Sequence, residues 1–220
     1  MCKQEGNATL FSHIVSKEFT LPDYVVFTTR FILFAVAHSL CATNRVKQIV
    51  SRTADGESRF YRLGYNLASF AMFVWVMAAY RTSPVMYFAP GVWSLVMYAA
   101  QVIVAGIIFQ CVRQTGAGEF LGTRQLSSSE PPPHRLVTSG CYARMRHPLY
   151  FYAIIFLVLN PVMTTQWLLL TLFSLVYFII GGMIEEHRLL KTFGEEYRMY
   201  QQRVPFMIPS LRGIKPPTGS

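Results

Sequence analysis

Five apolar runs free of aspartate and glutamate, at about residues 24–42, 64–80, 92–112, 148–159 and 166–184, constrain this chain more than any motif in it. A spanning helix needs about 20 residues, and four of the runs reach or approach that length. The fourth run is shorter and stops at Asn160-Pro161. It either spans poorly or forms a hairpin with the fifth that dips into the bilayer and returns. The expected fold is an all-α integral membrane protein of about five transmembrane helices, with the last two as spans or as a hairpin. Composition agrees: 52% of residues are hydrophobic, 15% aromatic and 14% charged, against about 25% charged in soluble domains.

The basic residues test that layout, because short cytoplasmic loops collect Lys and Arg. Arg45, Lys47, Arg52, Arg59 and Arg62 follow the first run; Arg113, Arg124, Arg135, Arg144 and Arg146 follow the third; Arg188, Lys191, Arg198, Arg203, Arg212 and Lys215 follow the fifth. These are 16 of the 20 basic residues, and only Lys3, Lys17 and Arg81 fall on the opposite side, with Arg30 inside the first run. The N-terminus is therefore expected outside, and the polar motifs and C-terminus in the cytoplasm, at a membrane of the bacterial inner type. The net charge of +9 reads as topology and attraction to anionic headgroups, and no recognition motif supports nucleic-acid binding.

Cys2, Cys41, Cys111 and Cys141 show no ligand spacing, and three of them fall on the reducing side, so neither a disulfide nor a metal site is expected. The first 23 residues carry Glu5, Glu18 and Asp23, unlike a cleavable signal, and the first run is expected to stay as an anchor. One linker is visible, the serine- and proline-rich stretch 127–133. A single domain, 1–220, is expected, with helices in 1–112 and a ligand-binding core and tail in 113–220.

Two polar clusters border the apolar runs. One is His134 to Tyr150, which contains Gly140, Cys141, Tyr142, Arg144, Arg146, His147 and Pro148; the other is Glu185-Glu186-His187-Arg188. Arginines and histidines supply donors to an anion, the tyrosines offer rings to a cation, and acids at a membrane helix end call for a partner. Singly, each has a plainer reading. Arg144 and Arg146 serve as topology charges, His147-Pro148 as a helix start, Glu185 and Glu186 as a solvated helix end paired with Arg188 or Lys191, and the tyrosines as interfacial aromatics.

In series, the residues resemble the isoprenylcysteine carboxyl methyltransferase and phospholipid methyltransferase superfamily. The matching residues are His134, Leu136, Val137, Thr138, Gly140, Tyr142, Arg146, His147, Pro148, Tyr150, Glu185, Glu186, Phe193, Gly194, Tyr197 and Tyr200. The resemblance implies S-adenosyl-L-methionine as cofactor. It places His134, Arg135, Leu136, Val137, Tyr142, His147, Pro148, Leu149 and Tyr150 around that cofactor, Glu185 on its amino group, and Gln125 as a further contact. The N-terminal half resembles methanethiol S-methyltransferases and the NnrU-like group through His38-Ser39-Leu40, Arg45-Val46-Lys47 and Arg62-Leu63-Gly64-Tyr65-Asn66. His38 admits three readings: a packed helix histidine, a polar contact to Asn66, or a group on the substrate side.

The implied activity is direct methyl transfer to a lipophilic or small-molecule acceptor arriving from membrane lipid. The isoprenylcysteine enzymes place an arginine one turn before the cofactor-binding glutamate; Gly181 stands there in this chain. A small thiol or a phospholipid amine is the alternative acceptor, and a non-catalytic membrane protein that keeps the fold is the alternative class. Glu186, His187, Arg203 and His38 are the candidates for a catalytic group.

Overall fold

The computed structural model describes residues 21–53, 61–80, 83–116, 118 and 135–209. Helix α1 is Leu21–Cys41, α2 Asn44–Thr53, α3 Tyr61–Met77, α4 Val92–Gln114, α5 Pro148–Val158, α6 Thr165–Phe193 and α7 Glu195–Arg203. The chain is mostly helical, and α1, α4 and α6 are each long and apolar enough to cross a membrane. Helices α3 and α5 coincide with the second and fourth apolar runs but have 17 and 11 residues.

Local chemistry sets the ends of the two helices that carry the polar clusters. Pro148 opens α5 at a position where its missing N–H is no loss. The side chain of Thr164 accepts a hydrogen bond from the Trp167 amide at 3.2 Å and so caps α6. With 29 residues α6 is about 44 Å long. A hydrocarbon core about 30 Å thick takes up some 20 residues of it. Counted from Thr165, the apolar stretch therefore ends at Glu185, and the last turns lie beyond it.

The helices pack α1 on α3, α4 on α5, α5 on α6, and α7 on α6. Phe27, Phe31, Val76, Ala79 and Leu170 form the core where α1, α3 and α6 meet. Tyr197, Tyr200 and Val204 form a second core, against Leu136, Leu189, Leu190 and Phe193. Large apolar side chains on the outside, including Val92, Val102 and Ile103, are exposed, as a lipid-facing surface requires. The Gln166 side chain, fully buried, is paired: it donates to the Ala79 carbonyl at 3.2 Å.

The mostly helical architecture fits the expected all-α membrane fold, with one small addition: Val85–Phe88 and Val162–Thr164 form a two-stranded antiparallel sheet. Both segments are rich in β-branched or long apolar residues. One expectation needs correction, and it concerns cysteine. Cys111 and Cys141 form a disulfide, with S–S 2.09 Å and Cα–Cα 5.7 Å. Their separation of 30 residues carries no local signal; the end of α4 and the turn at Gly140–Ala143 are brought together by the fold.

Candidate functional site

The turn at Gly140–Ala143 is fastened to α4 beside its disulfide. The Cys141 amide donates to the Gln114 side-chain oxygen at 2.9 Å. Gly140 has φ +64°, which favours glycine, and a Cβ there would also push aside the end of the Gln114 side chain that holds the turn. The next residues run into α5 along the tail: the Arg146 and His147 amides donate to the Pro205 and Phe206 carbonyls at 2.9 and 3.0 Å.

Arg146 is the hub of this junction. Its Nε donates to Glu186 at 2.6 Å and its Nη2 at 3.3 Å, while Nη1 donates to the Gln201 and Val204 carbonyls, each at 2.8 Å. Glu186 also accepts from the Gln201 side chain at 2.8 Å and lies 3.2 Å from His147 Nε2. With Arg146 12% and Glu186 13% exposed, the pair is nearly dry, and its oxygens are taken up in bonds. Gly182 permits the approach of the tail, because a Cβ there would lie 2.8 Å from the Phe206 ring and 3.4 Å from His147.

Glu185, the neighbouring acid, has a different environment. Its side chain is 49% exposed, it accepts from the Tyr150 hydroxyl at 2.8 Å, and it lies 3.7 Å from His147 Nδ1. It faces a cavity of about 250 Å³. Arg62 and Thr115 line that cavity from α3 and the end of α4; Tyr142, Arg146, His147, Pro148, Leu149 and Tyr150 line it from the turn and α5. Burial, aided by the Glu185 charge, pushes the Tyr142 phenol up to about 12, so it stays a neutral donor. Burial also lowers the His147 pKa, overriding the two carboxylates that favour its charged form.

Six residues expected around a ligand therefore meet at one cavity: Tyr142, His147, Pro148, Leu149, Tyr150 and Glu185. Leu136 packs instead on the Tyr197 and Tyr200 core, Arg135 is exposed and Val137 half-buried away from the lining. His134 and Gln125 lie outside the described residues. Among the catalytic candidates, Glu186 is bound into the Arg146 pair, while His187 and Arg203 are exposed and do not line the cavity. His38 sits elsewhere, with a ring nitrogen 2.8 Å from the Tyr65 hydroxyl. Sequence reasoning did not assign Arg62 or Thr115 to a ligand; for Arg62 the signal was its place in the Arg62–Asn66 run.

The NnrU protein family model matches residues 26–212 of the chain. Methanethiol S-methyltransferase 1 of Bradyrhizobium diazoefficiens is 31% identical over 83% of this chain and 65% of its own length. Methanethiol S-methyltransferase of Pseudomonas deceptionensis is 30% identical over 82% of this chain and 70% of its own. Protein-S-isoprenylcysteine O-methyltransferase of Xenopus laevis is 31% identical over 70% of this chain and 54% of its own. The chain thus spans about two thirds of the first two relatives. No solved structure gives a significant match.

Proposed function

The chain belongs to the NnrU family, and on that premise we propose that it is an integral membrane methyltransferase that takes S-adenosyl-L-methionine from the cytoplasm and methylates a small, uncharged thiol. The observation that carries this reading is the contrast between its two adjacent acids. Glu186 is satisfied by Arg146, whereas Glu185 keeps a half-exposed carboxylate at a cavity, oriented by Tyr150.

The residues present suit an amino-acid zwitterion joined to a sulfonium. Glu185 would hold the ammonium, Arg62 across the cavity would take the carboxylate, and the rings of Tyr142 and Tyr150 would face the positive sulfur. When bound, the cofactor would supply a methyl group already activated by its sulfonium. The chain's own part is then orientation and exclusion of water. Tyr150 fixes the Glu185 carboxylate, His147 stays neutral between the two acids, and Arg146 locks the tail over the junction.

Two observations support a small thiol. The relatives that share most of this chain are named for methanethiol, and Gly181 offers no cation to an acceptor carboxylate one turn before Glu185. The division of basic residues, 16 to 3, supports the cytoplasmic placement of the cavity. Transfer of labelled methyl groups into alkanethiol, prenylcysteine and phospholipid pools tests the reading: the thiol is expected to be labelled fastest. A strong preference for the free prenylcysteine carboxylate would replace the acceptor, and no transfer to any pool would favour a non-catalytic protein.

A further inference from the structure

A second polar cluster lies within the apolar body, near the end of α1. The His38 ring stacks on Phe34 at 5.5 Å and Tyr65 at 5.0 Å, and lies 6.1 Å from Tyr177. The Ser39 hydroxyl is 3.3 Å from that of Tyr177. Arg188 donates to the Ala42 carbonyl at 3.2 Å, which ties the end of α1 to α6 just beyond Glu185.

Two helices join this cluster to the cavity. On α3, Arg62 lines the cavity and Tyr65, three residues on, meets His38. On α6, Glu185 faces the cavity and Tyr177, two turns earlier, meets His38 and Ser39. Between them on that face stands Gly181, where a Cβ would meet nothing within 4 Å. Residues four apart share a helix face, and a helical side chain leans over the turn before its own Cα, so Glu185 leans toward Gly181. The side of this opening is aromatic: Tyr177, Phe178 and Tyr150 follow each other at 6.1 and 5.0 Å.

We propose that the space at Gly181 receives the thiol acceptor and that His38 is the catalytic base that removes its proton, an assignment that rests on the methyltransferase reading above. The thiolate is the nucleophile, and an alkanethiol in apolar surroundings is protonated at neutral pH. Imidazole is the side chain suited to accept that proton. Both ring nitrogens of His38 lie 2.8 Å from the Tyr65 hydroxyl; in the tautomer whose N–H donates to the Tyr65 oxygen, the other nitrogen carries the lone pair that accepts the thiol proton. His38 takes the thiol proton, the freed pair on sulfur forms the bond to the methyl carbon of a sulfonium donor, and the electrons of the bond that breaks return to the donor's own sulfur, which leaves neutral. The proton then passes from His38 to solvent at the membrane edge.

The test compares unmodified protein, His38→Gln and Gly181→Leu, each first titrated with S-adenosylhomocysteine to establish an intact cofactor site. Methyl transfer is measured to an alkanethiol and to a nitrothiophenol that is already ionised at neutral pH. His38→Gln is expected to slow the alkanethiol by at least about 100-fold and the nitrothiophenol by only a few-fold. Gly181→Leu is expected to bind S-adenosylhomocysteine but no longer to bind the alkanethiol beside it, read by calorimetry. Equal slowing of both thiols in His38→Gln, an unchanged alkanethiol rate, or undiminished thiol binding in Gly181→Leu would overturn the assignment while leaving the methyltransferase reading in place. No binding of S-adenosylhomocysteine or no thiol methylation by the unmodified protein would remove both.

Discussion

Neighbouring residues here have opposite tasks, which spacing alone does not separate. Glu185 and Glu186 are equivalent in sequence, yet one is engaged by Arg146 and Gln201 and the other by Tyr150 at a cavity. A helix turns 100° per residue, so adjacent side chains meet different partners. His147 links them, and its burial lowers its pKa below the ordinary value of about 6.5. As pH falls through about 6.5 the unfolded chain gains a proton there that the folded chain resists, so stability decreases as pH falls. Thermal unfolding in detergent should show this decline below about pH 6.5. In His147→Gln the decline should be shallower; an identical slope would mean that His147 is not the group responsible.

At the level of elements, α6 combines two glycines with contrary requirements. Gly182 faces the tail, where a Cβ would meet the Phe206 ring at 2.8 Å, whereas Gly181 faces open space. Alanine favours a helix over glycine by up to about 1 kcal/mol. Gly181→Ala should therefore leave the melting temperature unchanged or raise it. Gly182→Ala should lower it, because overpacking against the Phe206 ring costs about 1–3 kcal/mol, and should weaken cofactor binding by displacing Phe206, whose ring packs on His147. Melting curves of the two variants check this, and equal stabilisation by both would contradict the packing of the tail on α6. The five apolar helices were legible because apolar runs and Pro148 mark them directly, whereas the polar helices α2 and α7 carry no such run. The sheet between Val85–Phe88 and Val162–Thr164 and the Cys111–Cys141 bond were not, because each joins segments whose nearness depends on the packing of α4, α5 and α6.

For the molecule as a whole, the order of polar motifs predicted six of the residues that meet at the cavity. Arg62 was hidden by distance, since only the packing of α1, α3 and α6 brings the first turn of α3 to the site. The same packing sets the polar end of α6, the end of α1 and the turn at Gly140–Ala143 on one side of the apolar body. If that side is cytoplasmic, single cysteines placed in 42–62 and 135–147 should react only after the membrane is opened, and those in 81–91 should react from outside. The reverse pattern would invert the topology.

The central claim is that Glu185 holds the amino group of S-adenosylmethionine, and calorimetric titration with S-adenosylhomocysteine tests it most directly. A charge-assisted hydrogen bond is worth about 1.5–3 kcal/mol. The half-exposed Glu185 side chain belongs near the lower figure, roughly a tenfold change in affinity. Glu185→Gln is therefore expected to bind about tenfold more weakly than the unmodified protein. Glu195→Gln alters an acid that is 69% exposed and absent from the cavity lining, and should bind as the unmodified protein does. Equal affinities for the two variants would remove Glu185 from the site and contradict the account.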